Sequence, residues 1–312
     1  MRGRPKGSVS NRGTGCGGTV SGQGSEVSRI DPQRVNPRID TSVPHPARRY
    51  NYWLGGKDNF AVDRASADQI AEAFPTVPTA AVENRRFLRR AVTFLAEAGV
   101  RQFLDIGTGL PTADNTHQVA QAIAPDARIV YVDNDPLVLV HARALLTSSP
   151  EGATAYIDAD LREPDKILSS PDLEGILDLS QPIALMLVAI LHFIVDADAP
   201  YEIVADLVAD LPSGSFLVMS HVTYDLMPPE VVANLTAIGA ASNEPFQARS
   251  RAEFARFFDG LELVPPGIVS VTQWRADDEP APRPTASDVS VYGAVARVAR
   301  AEEMHLPLSG GR

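Results

Sequence analysis

Apolar residues in the middle of the chain fall in two alternating patterns. Continuous runs occupy 100–106, 128–132, 153–157, 183–188 and 215–220. Runs of this length, bounded by Asp, Gly, Asn or Pro, predict buried strands. Between them apolar positions recur three and four residues apart. Val119, Ala122 and Ile123 form one such face; Leu137, Val140 and Leu145 form another over 136–146, which Pro136 opens; 201–211 is a third. Strict alternation of strand and helix predicts an α/β fold: a doubly wound, mostly parallel sheet with helices on both faces. Helices at 231–238 and 252–258 and strands at 261–264, 268–274 and 289–298 follow. Only a polar, Pro-rich loop separates the last two strands, which predicts an antiparallel C-terminal hairpin closing one edge.

Upstream, 66–74 and 82–98 read as helices. Ser66 and Gln69 have capping-box spacing. Phe87, Ala91, Phe94 and Leu95 recur at helical spacing; Asn84-Arg85-Arg86 and Arg89-Arg90 lie among them, and the arginines read as a solvated face. The stretch 47–64 gathers Tyr50, Tyr52 and Trp53 before Gly55-Gly56 and Lys57-Asp58-Asn59. It is open to two readings: a helix that packs its aromatics and stops at the glycines, or a lid hinged at the glycines that brings polar groups to a site. Residues 1–37 are rich in Gly, Ser, Arg and Pro and cannot bury enough surface to offset their ordering entropy. The expected organisation is a disordered basic tail over 1–39, one domain over 40–300 with an N-terminal cap at about 47–98, and a flexible tail over 301–312. Arg2-Gly3-Arg4-Pro5-Lys6 is similar to an AT-hook core, but it reads better as a solvated basic tail.

The bulk numbers narrow the function classes. The 312 residues carry a formal net charge of −11, so generic binding to nucleic acid or anionic membrane is not expected. The one cysteine, Cys16, allows no intramolecular disulfide and no cysteine metal cluster. The longest apolar run, 183–191, is too short to span a bilayer. No basic-then-apolar leader opens the sequence. A cytoplasmic enzyme is the expectation.

The chemistry gathers where strands end. Asp105 closes the first strand, and Gly107-Thr108-Gly109 follow before Pro111-Thr112, which read as opening a helix. Such a turn lets a ligand lie against bare backbone. A dinucleotide fingerprint wants a third glycine where Thr112 stands, and a pyrophosphate on this turn would be repelled by Asp105. The ammonium and sulfonium of S-adenosylmethionine (SAM) would be attracted. Asp133, with Asn134 beside it, ends the second strand and suits two ribose hydroxyls; its other reading, a cap for the helix at Pro136, is open equally to Asn134 or Asp135. Asp160, next to Leu161, can accept from an adenine amine or pair with Arg162. His192 and His221 follow the fourth and fifth strands. Each is a candidate base for an oxygen or nitrogen acceptor, or a structural strand-end hydrogen bonder. No metal is expected, since Asp158 and Asp160 alone are too few oxygen ligands.

Four motifs, 50–60 (YNYWLGGKDNF), 103–112 (FLDIGTGLPT), 132–136 (VDNDP) and 191–193 (LHF), together resemble the S-adenosyl methyltransferase family of high-GC bacteria, formerly catalogued as a domain of unknown function. The resemblance covers about 40–300. It implies a Rossmann-like class I methyltransferase fold and SAM as cofactor, with Asp105, Gly107, Gly109, Asp133 and Asp160 at matching positions. Thr108, Asn134 and Leu161 flank them. Pro111 departs from the glycine of the broader methyltransferase pattern but agrees with this family. Tyr50, Gly55, Gly56, Asp58 and Asn59 are the expected cap residues, and Lys57 joins the two histidines as a catalytic candidate. The methyl acceptor expected is a small molecule. A non-catalytic SAM-binding protein and a nicotinamide oxidoreductase are the alternatives.

Overall fold

Five parallel strands run side by side in the order β3–β2–β1–β4–β5. They are β1 (Gln102–Ile106), β2 (Arg128–Asp133), β3 (Ala153–Asp158), β4 (Ala184–Val188) and β5 (Phe216–Val222). The computed structural model describes residues 39–145, 148–242 and 244–299. The basic tail with its Arg2–Pro5 motif and the C-terminal tail therefore lie outside the described residues. The short strands β6 (Glu262–Leu263) and β7 (Val269–Ser270) both pair antiparallel with β8 (Val291–Arg297), which itself runs antiparallel to β5. The chain leaves β1 toward β2 and β3, then returns to β4 on the other side of β1. That reversal opens a crevice at the carboxyl ends of β1 and β4.

Three helices precede the sheet: α1 (Pro46–Trp53), α2 (Ala61–Ala73) and α3 (Val77–Glu97). The remainder are α4 (Thr116–Ile123), α5 (Pro136–Leu145), α6 (Pro164–Leu168), α7 (Pro171–Glu174), α8 (Pro200–Ala209), α9 (Pro229–Ala241), α10 (Arg251–Ala255) and α11 (Ala286–Val289). Alternate residues of each strand feed two cores. Phe103, Ile129, Tyr131 and Met186 pack under α3 and α4, against Phe87, Leu88, Val92 and Leu95. Leu104, Ile106, Val130 and Leu185 pack on the other face, against α6, α7, α8 and α10. Each such side chain contributes about 1.5–3 kcal/mol by leaving water. Among the described residues no helix is long and apolar enough to cross a membrane.

Several local expectations are corrected. The helix after the glycine turn starts at Thr116, not at Pro111: the Asn115 N–H donates to Gln118 Oε1 at 2.9 Å and opens it there. Ser66 lies inside α2, which begins at Ala61, where Asp63 accepts the Phe60 N–H at 2.8 Å. An acid in the first turn thus replaces the expected cap. The antiparallel closure is present, but of 268–274 only Val269 and Ser270 pair. Trp274 is buried edge-on against Phe87 and Phe94, at 5.5 and 6.0 Å, which turns 271–275 away from the sheet. Arg90 holds that turn by donating to the Val271 and Trp274 carbonyls at 2.5 and 2.9 Å, so it is not on a solvated face. The loop before β8 carries α11.

Candidate functional site

The glycine turn is stitched to β2. The Gly107 N–H donates to the Val132 carbonyl and the Gly109 N–H to Asp133 Oδ2, each at 2.8 Å. Both glycines have positive φ, +77° and +65°. Their surroundings differ. A Cβ on Gly107 would stand 2.6 Å from Ile190 Cγ1, whereas one on Gly109 would meet open space. The first glycine therefore lets the post-β4 loop approach, and the second leaves bare backbone facing outward. The Thr108 hydroxyl lies 3.3 Å from that of Tyr156.

Two carboxylates flank this turn. Asp105 is buried and accepts from the Thr116 hydroxyl at 2.6 Å. Burial pushes its carboxyl up to about 6, against the Thr116 hydrogen bond. Asp133 is buried too, and it accepts from the Asp135 N–H at 2.9 Å as well as from Gly109. Burial lifts it to about 6, with the Asp135 charge adding and the backbone hydrogen bonds opposing. Asp135 is the residue that caps α5, accepting the Leu137 N–H at 2.9 Å, so Asp133 is not needed for that. Asp160 pairs with Arg162 at 3.2 Å and accepts from Asn134 Nδ2 at 2.8 Å. Burial works upward on it, but the bonds from Arg162 and Asn134 hold its carboxyl below the ordinary range. Leu161 beside it is buried in the core.

α1 and the loop after it lie against the end of β2, where His45 and Arg48 approach Asp135. α1 stops at the glycines: the Gly55 N–H reaches the Tyr52 carbonyl at 2.9 Å and the Gly56 N–H the Asn51 carbonyl at 2.8 Å, with Gly55 at φ +78°. This is the helix-stop geometry. Asn51 Oδ1 then accepts from the Asp58 N–H and Asn59 Nδ2, winding the loop onto the helix, and its amide leaves no room for a Cβ at Gly56. Asp58 lies 3.8 Å from His141 of α5, and Lys57 is exposed. A buried cluster of His45, Arg48, Asp63 and Asp135 joins α1 to the β2 end, with Arg48 Nε 3.6 Å from Asp135 and 3.7 Å from Asp63.

A hydrogen-bonded chain ties the cap to the post-β4 loop. Tyr50 donates to the Ala81 carbonyl and accepts from Asn84 Nδ2, both at 3.0 Å. Asn84 Oδ1 accepts from the Ser220 hydroxyl at 2.6 Å, and Ser220 Oγ accepts the Ala189 N–H at 2.9 Å. Ala189 is held in the left-handed region at φ +57°, directly after β4. The 3₁₀ turn Leu191–Phe193 follows and carries His192, whose Nδ1 is buried with no hydrogen-bond partner among the described residues. Burial, then the charges of His221, Arg249 and Arg49, hold that imidazole well below its ordinary range. His221 packs against it, ring centroids 5.6 Å apart, but both its nitrogens are engaged. Nδ1 lies 2.7 Å from the Val222 carbonyl, and Nε2 accepts from Arg249 at 3.0 Å. Burial pushes it down to about 4, against the Val222 hydrogen bond. This is the strand-end hydrogen-bonding role, with no lone pair left over.

The structure thus brings together Asp105, Gly107, Thr108, Gly109, Asp133, Asn134 and Asp160 along one rim, with His192 and the α1 cap across the crevice. Arg48, Arg49, Asn84, Ser220, Glu244 and Arg249 escaped sequence reasoning. Arg48-Arg49 stands inside the aromatic segment, yet nothing local marks its partners. Among the described residues no three His, Cys, Asp or Glu side chains are grouped to hold a metal ion.

A doubly wound sheet with a glycine turn and acids at successive strand ends defines a nucleoside-binding α/β protein. The sequence profile of the S-adenosyl methyltransferase family matches residues 32–299, and the chain belongs to that family. A DUF574 family protein from Streptomyces avermitilis MA-4680 is 47% identical and superposes with a TM-score of 0.80, over 83% of this chain and 98% of that one. A candidate methyltransferase from Thermobifida fusca YX is 41% identical with a TM-score of 0.76, over 85% and 98%. No curated protein matches the chain. The chain is a SAM-dependent methyltransferase, and neither a nicotinamide oxidoreductase nor a non-catalytic binder is favoured. The site suits that cofactor: neither Asp105 nor Asp133 is ion-paired among the described residues, and the face of Gly109 is open.

Proposed function

We propose that this chain moves a methyl group from SAM to a small-molecule hydroxyl or amine. Bound SAM supplies a methyl group already activated on a sulfonium, so the protein's part is to hold, align and dry the reactants. In this reading Asp133 accepts from the ribose hydroxyls and Asn134 flanks it. Asp160 and Leu161 border the adenine, Gly107, Thr108 and Gly109 form the bed beneath the nucleoside, and Asp105 offsets the cofactor's positive charge. The cap residues Tyr50, Gly55, Gly56, Asp58 and Asn59 close the crevice, and Lys57 is its exposed cation. In this reading His192, whose Nδ1 is unpartnered among the described residues and whose burial keeps it neutral, accepts a hydrogen bond from the acceptor and steers its proton. His221 supports it from behind. The observation that carries the reading is a pair of buried carboxylates at adjacent strand ends, neither in an ion pair among the described residues, flanking an open glycine. The net charge of −11 speaks for a small acceptor and against a nucleic acid. The lone cysteine fits a cytoplasmic setting.

Calorimetry with S-adenosylhomocysteine (SAH) and with NADH tests the cofactor, and transfer of label from methyl-labelled SAM into a small-metabolite extract tests the reaction. Binding of NADH and not SAH, or no labelled product, would sink the reading.

A further inference from the structure

Three buried polar atoms, one each on α1, the post-β4 loop and the segment after α9, have no hydrogen-bond partner among the described residues, and the Arg49 charge acts on His192. They are Arg49 Nε, Glu244 Oε1 and His192 Nδ1. Arg49 and Glu244 make one hydrogen bond, Nη2 to Oε2 at 2.5 Å, and not the two of a full fork. A donor and an acceptor are therefore left open on one ion pair. A hydroxyl can accept from the first and donate to the second. Buried groups of this kind are seldom left unmade without a function, because each costs about 1–3 kcal/mol.

The surroundings narrow the ligand further. Phe193 and Phe246 lie against the His192 ring with centroids 4.4 and 5.4 Å away, and their own centroids are 6.0 Å apart. Phe246 is 39% exposed, an aromatic surface at the edge of the cluster. The Gln247 N–H donates to the His192 carbonyl at 2.8 Å, which holds this segment over the histidine. The charges of Arg49 and Glu244 cancel, and His192 is kept neutral by its burial. A net-neutral cluster edged by aromatic rings does not select an ion; it suits a flat, uncharged body with a hydroxyl.

We propose that Arg49, Glu244, His192 and Phe246 form the acceptor-recognition site, and that it takes small uncharged phenols. This rests on the methyltransferase reading above. The hydroxyl lies in the Arg49–Glu244 fork within reach of His192, and the ring lies against Phe246.

The test titrates phenol, catechol and 4-hydroxyacetophenone, with benzoate and benzylamine as charged controls, into SAH-saturated full-length protein by calorimetry. The phenols should bind at least tenfold more tightly than either control. Glu244→Gln keeps the shape of the side chain and should weaken phenol binding at least fivefold. Phe246→Ala, a change at the surface that leaves folding intact, should do the same with SAH affinity unchanged. SAH binding with no phenol binding, or charged controls that bind equally well, overturns the proposal alone. So does a loss of SAH affinity in Arg49→Gln, which would assign the cluster to the cofactor. Failure to bind SAH at all removes the cofactor reading, and this proposal falls with it.

Discussion

Replacing Asp133 by Asn tests the ribose assignment at the atom on which it depends. The carboxylate accepts two backbone N–H groups, from Gly109 at 2.8 Å and Asp135 at 2.9 Å, in a buried place. An amide keeps one acceptor oxygen and turns an NH₂ toward the other donor. One buried N–H then loses its partner, at about 1–3 kcal/mol. For a chain of this size that lowers Tm by roughly 2–5 °C. The cofactor loses more specifically. Hydrogen bonds from ribose hydroxyls to a charged acceptor contribute about 1.5–3 kcal/mol, so SAH affinity should fall about 10- to 150-fold. Calorimetric titration of SAH, run beside a thermal melt of the same sample, separates the two effects. A folded Asp133→Asn protein that binds SAH within twofold of the parent would refute the reasoning. It would leave Asp133 as a clasp for the glycine turn alone.

The remaining expectations concern charge and backbone. Asp105 and Asp133 are pushed up to about 6, and the cationic cofactor needs them ionised, so SAM affinity should rise between pH 5 and 7; a flat profile would exclude both carboxylates. Stability runs the other way for these two: their contribution is complete below about pH 4 and is lost as pH rises through about 6. His221, pushed down to about 4, opposes them, since its contribution is complete above about 6.5 and is lost as pH falls through about 4. Gly107→Ala should cost about 2–5 kcal/mol in urea unfolding, from the left-handed backbone and the overlap with Ile190. Gly109→Ala should cost only about 1–2, and Ile190→Ala should rescue part of the first but none of the second. Arg249→Met should destabilise the fold by about 3–5 kcal/mol, measured the same way, because it strips the Leu191 and Ile194 carbonyls, Asp196 and His221 of their shared donor. Lys57→Ala, at an exposed position, should leave Tm within about 1 °C while lowering methyl transfer; unaltered transfer to an accepted phenol would remove it from the site.

Local pattern carried far in this chain, and it failed for identifiable reasons. The parallel strands were legible because each is a short apolar run closed by a polar residue, and the acids at their ends became a site through topology alone. The 268–274 run looked like a strand because it is apolar. Trp274 instead buries its ring under α3, and one large side chain can redirect a segment whose backbone has only two pairing residues. The Ser66 cap failed because α2 begins earlier, behind Phe60, a residue outside the usual N-cap set, whose N–H is taken by Asp63. Arg90 looked solvent-facing by helical spacing, but two carbonyls nearly two hundred residues downstream accept its protons.

What the sequence determined by itself is therefore the order of the main strands and helices and the glycines and acids at the strand ends. Both arise from short-range rules: hydrophobic period, glycine conformation, and a charge at the end of a strand. The tertiary structure alone decided which polar groups answer one another across the crevice. Arg49 finds Glu244 over 195 positions, and Asn84 finds Ser220 over 136. Such pairs leave no periodic trace, because a hydrogen bond needs contact within about 3 Å and only the packed chain brings those atoms that close.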